Sequence, residues 1–315
     1  MSLPDYYIKE DQFEGEEIFG HDIHGIQKTC ILKPQNIKVF MDSYPPFRKS
    51  SKEEQKFFDY IKILSNIHHP CCIQLLGYNI PNDPKKGPII FQTFYENGTL
   101  ERVIKEYQNI EPPTERKAIN TILAKTFYGI SCGLRYIHSK NIIHRDIKPS
   151  NIHFDKSYNP VIIDFFFAVD ASKNEETSCG SPAYMATEAL NGHSVLKSDI
   201  FAFGMLLYQI FSQNPYYKDP TKNTFVLEYS GHPINRIENL KHIRSKGILP
   251  DKPDGIPERM WEIISLCQQV EIEKRPSADD LVQMFENPDD IFHDQYDKDD
   301  FNCFVDKIKH EENQK

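Results

Sequence analysis

The sequence has 315 residues, enough for one large domain or for two lobes and a tail. With 39% hydrophobic and 26% charged residues its composition is that of an ordinary globular protein, which excludes fibrous and disordered classes. A net charge of −9 argues against nucleic-acid binding, and the seven cysteines form no CxxC pair that would indicate a zinc site. We expect a cytoplasmic protein that binds no membrane, since no apolar run is long enough to span one.

The first 92 residues have the pattern of a small β-rich unit. The segments TCIL, NIKVF, CIQLLGY and PIIFQTF have the composition of short strands. The stretch 50–67 repeats apolar residues at intervals of three and four, which is typical of an amphipathic helix. Together these patterns predict a sheet with one helix.

Helical patterns dominate from residue 99 onward, and the longest covers 115–139. The polar segment TFYENG ends in glycine and suits a hinge. We therefore predict four regions: a β-rich lobe at 1–92, a hinge at 93–98, a helical lobe at 99–286 and an acidic tail at 287–315. The tail is expected to be solvated, although four apolar residues would let it pack as a helix: Phe301, Phe304, Val305 and Ile308.

One motif carries the chemistry, the segment IIHRDIKPSN at 142–151 with Asp164 thirteen residues later. It resembles the catalytic loop and the metal-binding aspartate of protein kinases. The resemblance implies that Asp146 is the base that orients a substrate hydroxyl and that Lys148 steadies the transferred phosphoryl group. It also implies that Asn151 and Asp164 hold Mg²⁺.

The resemblance covers roughly residues 10–286 and includes three further motifs. The segment TSCGSPAYMATE at 177–188 is similar to the activation and substrate-docking segment of kinases. The second motif is SDIFAFG at 198–204, in which the resemblance implies that Asp199 caps the catalytic-loop backbone. The third is KRPS at 274–277, in which it implies that Arg275 pairs with Glu188. The expected fold is therefore α+β, the two-lobed protein kinase fold, with a small β-rich N-lobe that has one main helix and a larger, mostly helical C-lobe.

The expected phosphate site departs from the family pattern. Lys38 in NIKVF aligns with the lysine that contacts the α- and β-phosphates of ATP. The segment GEEIFG keeps the outer glycines of the phosphate loop, Gly15 and Gly20, but has Glu17 where a central glycine is usual. A second register, 20–25, also has an acid in the middle. Since like charges repel, a carboxylate there predicts weak phosphate binding.

The expected adenine site is altered as well. Thr93 and Tyr95 would offer backbone groups to the base, after a gatekeeper at Gln92. Asn36 and His153 stand where the resemblance implies an apolar roof and floor. An unsatisfied buried amide or imidazole would cost about 1 to 3 kcal/mol, which predicts weaker binding of ATP.

Two further departures concern the helix and the metal-binding motif. The helix glutamate that normally pairs with the lysine is replaced by Tyr60, with Asp59 one position away. The usual DFG is DFF here, and Phe166 in place of glycine would restrict the backbone of the following loop.

The sequence thus predicts a serine/threonine protein kinase that uses ATP and Mg²⁺ on protein hydroxyls, with impaired ATP binding expected. Lys148, two residues after Asp146, is the serine/threonine pattern. The alternative is a catalytically weak pseudokinase that acts as a scaffold or allosteric partner for other proteins. A phosphate on Thr177 would pair with Arg145, or else Arg145 is satisfied by backbone carbonyls. Substrate, pathway and oligomeric state stay open.

Overall fold

The computed structural model describes residues 3–21, 26–33, 35–110, 116–173, 176–212, 218–219, 224–225 and 233–314. The chain forms two compact units, Met1–Glu96 and Asn97–Lys315. The division falls inside the range 93–98, where the polar segment ends in glycine.

The first unit is built on a five-stranded antiparallel sheet in the order β1-β2-β3-β5-β4. Alternate residues of the strands point to one face, where they form an apolar cluster of Cys30, Leu32, Val39, Met41 and Phe91. The strands are β1 (Phe13–His21), β2 (Ile26–Leu32), β3 (Ile37–Ser43), β4 (Leu75–Asn79) and β5 (Ile89–Thr93).

One helix, α1 (Lys52–Ser65), belongs to this unit, within the predicted stretch 50–67. It begins where the Ser51 hydroxyl accepts a hydrogen bond from the backbone N–H of Glu54, an N-cap that satisfies one of the free donors of the first turn. Its buried side chains recur at helical spacing: Phe57, Tyr60, Ile61 and Leu64.

The second unit is mostly helical. Within its described residues, no helix is both long enough and apolar enough to cross a membrane. Its helices are α2 (Leu100–Asn109), α3 (Lys117–Ser139), α4 (Thr187–Leu190), α5 (Leu196–Phe211), α6 (Pro233–Ser245), α7 (Glu258–Cys267), α8 (Ala278–Phe285), α9 (Asp289–Phe292) and α10 (Lys298–Asn313).

Short paired strands position the loops of this unit. The antiparallel pairs are β6 (Ile142–Ile143) with β9 (Val169–Asp170), β7 (Ile152–Phe154) with β8 (Pro160–Ile162), and β10 (Lys218–Asp219) with β11 (Thr224–Phe225). Residues 144–151 therefore run between β6 and β7, and 163–168 between β8 and β9. Behind them, α3 packs against α8 and α5 packs against α7.

The C-terminal residues differ from the predicted solvated tail, which is wrong for 289–313. Helix α10 packs on α3 and buries the four apolar side chains named above. The ammonium group of Lys125, buried in α3, donates to Asp300 Oδ2 at 3.0 Å and to the carbonyl of Ser157 at 2.8 Å. The apolar face and this buried cation hold the segment despite its acidic excess.

We predict that Phe301→Ala lowers the free energy of unfolding by about 3 to 5 kcal/mol, because it removes a fully buried aromatic ring. Asn302→Ala, an exposed change on the next residue of the same helix, is the control and should have little effect. Urea unfolding of the three proteins measures the difference. Equal stability of all three would mean that α10 does not contribute to the folded unit.

Candidate active site

The backbone of residues 144–146 is held by a buried carboxylate in the first turn of α5. Asp199 Oδ2 accepts the N–H of His144 at 2.8 Å, and Oδ1 accepts the N–H of Arg145 at 2.9 Å. The ring nitrogen Nε2 of His138 lies 3.1 Å from Oδ2. The predicted capping role of Asp199 is confirmed.

His144 continues this network. The backbone N–H of Asp146 donates to His144 Nδ1 at 3.2 Å, so Nδ1 carries no proton. The proton is then on Nε2, which donates to the carbonyl of Ile163 at 3.0 Å. The ring of Phe165 packs edge-on against the imidazole of His144, with the two ring centres 4.6 Å apart. His144 thus links the loop at 144–151 to the segment that follows β8.

The predicted catalytic side chains lie together around Asp146, which is only 4% exposed. Asp146 Oδ2 is 2.8 Å from the ammonium group of Lys148 and accepts from Asn151 Nδ2 at 3.0 Å. Its other oxygen, Oδ1, accepts the backbone N–H of Ser181 at 2.9 Å. Lys148 also donates to Ser181 Oγ at 3.0 Å. The carboxylate is therefore held by charge and by hydrogen bonds from two segments.

Ser181 is a member of this cluster that sequence reasoning did not single out. Its neighbour Gly180 has φ +100°, and a Cβ there would lie 2.3 Å from the carbonyl oxygen of Arg145. Only glycine allows this approach of the two backbones. The glycine in TSCGSPAY was the available signal for the close contact.

The expected metal ligands lie at one end of the β7–β8 hairpin. The N–H of Ile163, the residue before Asp164, donates to the carbonyl of Asn151 at 2.9 Å. The side-chain nitrogen Nδ2 of Asn151 donates hydrogen bonds to the backbone carbonyl and to the carboxylate of Asp146. The side-chain oxygen of Asn151 is then the atom of this residue that is left for a metal. An amide oxygen and a carboxylate are ligands that suit Mg²⁺.

Phe166 lies outside the left-handed region of φ, so its conformation requires no glycine, and its side chain is 39% exposed. The expected restriction of the loop backbone by this residue stays a prediction. The left-handed residue here is Asp164, with φ +59°. Arg145 Nε donates a hydrogen bond to the carbonyl of Phe167. This is the alternative in which backbone carbonyls, rather than a phosphate on Thr177, satisfy the arginine. Thr177 is exposed.

The phosphate contacts expected in the first unit are arranged differently. Lys38 is exposed on β3, and its ammonium group lies 3.3 Å from Glu17 Oε2 and 5.3 Å from the ring centre of Phe94. Among the described residues, the ion-pair partner of Lys38 is thus Glu17, which stands where the phosphate loop of the family has its central glycine. Two exposed charges gain about 0 to 1 kcal/mol from such a pair.

The segment GEEIFG does not form the turn of a phosphate loop. Gly15 and Gly20 both lie within β1, Gly15 with φ +69° at an irregularity in the pairing with β2. The turn expected of a phosphate loop is therefore absent from this described segment, and phosphate contact by Gly15 and Gly20 stays a prediction. The chain passes from β1 to β2 through 22–25, so most of the second register, 20–25, lies outside the described residues.

The adenine expectations have mixed outcomes. Asn36 is exposed at the β2–β3 turn with φ +50°, so the expected burial of its amide is wrong. His153 is half-buried on β7, and burial lowers its pKa to about 4, so the ring is neutral at pH 7. The expected gatekeeper, Gln92, is buried in β5. The N–H of Thr93 donates to the carbonyl of Gln74 at 3.3 Å. Tyr95 is half-buried and lies two residues after β5.

The position expected for the helix glutamate has a core role. Tyr60 is buried on α1 and packs against Tyr44, with ring centres 6.4 Å apart. Asp59 is half-buried beside it. Among the described residues Lys38 pairs with Glu17 on β1 rather than with either of them.

The sequence matches the family model described as the protein kinase domain over residues 15–285. The chain belongs to this family. The kinase domain accounts for the two-unit architecture, the loop around Asp146 and the position of Asp164 after β8.

The kinase domain is similar to several curated proteins. It is 29% identical over 254 residues to a putative serine/threonine-protein kinase/receptor of Acanthamoeba polyphaga mimivirus, covering 79% of this chain and 14% of that protein. It is 26% identical to a probable serine/threonine-protein kinase of Dictyostelium discoideum (74% and 16%) and 28% identical to cysteine-rich receptor-like protein kinase 1 of Arabidopsis thaliana (75% and 38%). The chain therefore spans well under half the length of these relatives.

A buried ion pair closes the far end of the activation segment of the kinase domain. Arg275 Nη1 and Nη2 donate to the two oxygens of Glu188 at 2.6 and 3.1 Å, and Ser198 Oγ donates to Glu188 Oε1 at 2.8 Å. The predicted pair is confirmed. Burial acts to raise the pKa of Glu188, but hydrogen bonding and attraction from Arg275 outweigh it and hold the pKa below its ordinary 4.5.

A carboxylate with a lowered folded-state pKa contributes stability that is present above its unfolded pKa, 4.5 for Glu188, and is lost as the pH falls through the folded value. We predict that Glu188→Gln costs about 3 kcal/mol at pH 7, where it breaks a buried pair, and that the gap to the wild type narrows toward about pH 3. Urea unfolding at both pH values measures this. Glu271→Gln, in an exposed pair with Lys274, is the control. A gap that is independent of pH would contradict the assignment.

Proposed function

We propose that this kinase domain transfers the γ-phosphoryl group of Mg-ATP to serine or threonine hydroxyls of protein substrates. The observation that carries the proposal is the buried carboxylate of Asp146, held between Lys148, Asn151 and the backbone of Ser181. The printed names of the relatives, which call them serine/threonine-protein kinases, support the same activity.

Phosphoryl transfer needs little covalent chemistry from the protein, so positioning and charge supply most of the rate. In this proposal Asp146 accepts the proton of the substrate hydroxyl and orients that hydroxyl. Lys148 is already 2.8 Å from Asp146 and would place its positive charge beside the transferred group. Because both side chains are constrained, little reorganisation is needed when a substrate arrives.

When bound, Mg-ATP supplies the phosphoryl group and a cation that offsets its charge. Asn151, through its side-chain oxygen, and Asp164 would hold the metal, because the amide nitrogen of Asn151 is committed to Asp146. Lys38 would contact the α- and β-phosphates in exchange for Glu17. The neutral ring of His153 is compatible with an uncharged base.

A second candidate function is that of a pseudokinase, a binding module that displays the fold to other proteins. The ion pair between Lys38 and Glu17 favours the pseudokinase, because Lys38 is expected to bind phosphate and its ammonium group is instead paired with a carboxylate. The two candidates differ in whether Mg-ATP binds and whether a phosphoryl group is transferred.

For the transfer step, we predict that Asp146→Asn lowers the rate by about 10²- to 10⁴-fold, since the amide cannot accept the proton. Transfer from radiolabelled ATP to a degenerate serine/threonine peptide mixture measures the rate. Asp279→Asn makes the same chemical change at an exposed position of α8 and should leave the rate unchanged. Full transfer by Asp146→Asn would remove Asp146 from the mechanism.

For nucleotide binding, we predict that Mg-ATP at about 100 times its dissociation constant stabilises the protein by about 2.7 kcal/mol. Glu17→Gln should tighten binding by about two- to fivefold, because it releases an exposed pair and removes repulsion from phosphate. Thermal melting against Mg-ATP concentration measures both effects. Glu16→Gln, which breaks the neighbouring pair with Lys28, is the control. No shift at millimolar Mg-ATP in either protein would favour the pseudokinase.

A further inference from the structure

Arg244, at the end of α6, is a buried cation that the proposed chemistry does not use. It is 3% exposed, and its guanidinium meets a row of backbone carbonyls. Nη1 donates to the carbonyls of Pro182, at 2.9 Å, and of Met185, and Nη2 donates to the carbonyl of Ala183 at 2.6 Å. Because a buried charge without partners is costly, these carbonyls are what allow the arginine to be buried.

The carbonyls come from one tight piece of the activation segment. The N–H of Tyr184 donates to the carbonyl of Ser181 at 2.9 Å, and the N–H of Met185 donates to the carbonyl of Pro182 at 3.3 Å. This turn presents several carbonyls to the same side. A planar guanidinium has donors in a fixed fork that can reach three of them, whereas a lysine ammonium is a single point.

The position of Arg244 is set by the surrounding packing. Its Cζ lies 5.3 Å from the ring centre of the buried Phe201, and Cζ of Arg275 lies 5.2 Å from the same ring. Leu240 and Ile243 of α6 pack in one apolar cluster with Phe201 and Met185. The guanidinium is thus fixed by stacking and apolar contacts before any substrate binds.

The other end of the same turn contacts the catalytic residues. The N–H of Ser181 donates to Asp146, and its hydroxyl accepts from Lys148. Asp146 keeps its contacts to Lys148 and Asn151, which do not pass through α6. Loss of Arg244 should therefore loosen residues 182–185 more than it displaces the catalytic carboxylate.

We propose that Arg244 is a positioning residue that fixes the shape of residues 182–185, the part of the kinase domain on which a protein substrate docks. The proposal deepens the proposed function and rests on it, since the docking role belongs to a kinase. The contacts reach across 62 residues of sequence, so α6 controls the surface presented beside Asp146. Arg244 acts on substrate affinity, whereas Asp146 acts on the chemical step.

The test compares Arg244→Met, which keeps the apolar stem and removes every donor, with Arg244→Lys, which keeps the charge and loses the fork. Arg259→Met, at a half-buried arginine of α7 that, among the described residues, contacts only a neighbouring glutamate in its ion pair, is the matched control. Hydrogen exchange of the Tyr184 and Met185 amides measures the turn directly. The peptide KM, ATP KM and kcat are measured with one peptide selected on the wild type from a serine/threonine library.

We expect exchange at both amides and the peptide KM to rise at least about tenfold in Arg244→Met, with kcat within about threefold and the ATP KM unchanged. Arg244→Lys should give an intermediate effect and decides the question if Arg244→Met does not fold. Unchanged exchange, or faster exchange with an unchanged peptide KM, would overturn the proposal. Absence of transfer by the wild type would refute the proposed function, and the exchange comparison would still decide whether Arg244 fixes the turn.

Discussion

The carboxylate of Asp199 organises the loop on which the candidate site depends. It accepts two successive backbone N–H groups, from His144 and Arg145, and this curvature accompanies the left-handed φ of +68° at Arg145. With the backbone turned in this way, the N–H of Asp146 reaches the ring of His144, and its side chain faces Asn151. Without Asp199 the buried N–H of His144 and the partly buried N–H of Arg145 would lose their acceptor, which is costly in a water-poor interior.

The activation segment is held by three contacts of different chemistry. At one end the N–H of Ser181 meets the carboxylate of Asp146, and at the other Glu188 meets Arg275. Between them the guanidinium of Arg244 gathers backbone carbonyls. Each contact satisfies a buried charge, so each one holds the backbone more tightly than an exposed ion pair would. Residues 181–188 are therefore held by charged side chains that lie outside the segment.

Apolar periodicity and contiguous motifs in the sequence predicted two helices and the loop of the candidate site. The helices at 52–65 and 117–139 follow from apolar spacing, and the loop at 144–151 follows from a contiguous motif. The errors arose where position was inferred by counting. Gly15 was aligned to the phosphate loop but lies within β1, because this strand extends to His21. Asn36 was aligned to a buried strand position but lies at the turn between β2 and β3.

By itself the sequence determined the family, the two-part division of the chain and the residues of the candidate site, because these are written in contiguous residues and in helical or strand periodicity. Only the tertiary structure decided that Glu17 pairs with Lys38, that Ser181 contacts Asp146 and that Arg244 holds residues 182–185. These contacts join residues far apart in the chain and repeat at no fixed interval. Their partners are determined by which strands pair and which helices pack, and no local pattern encodes that choice.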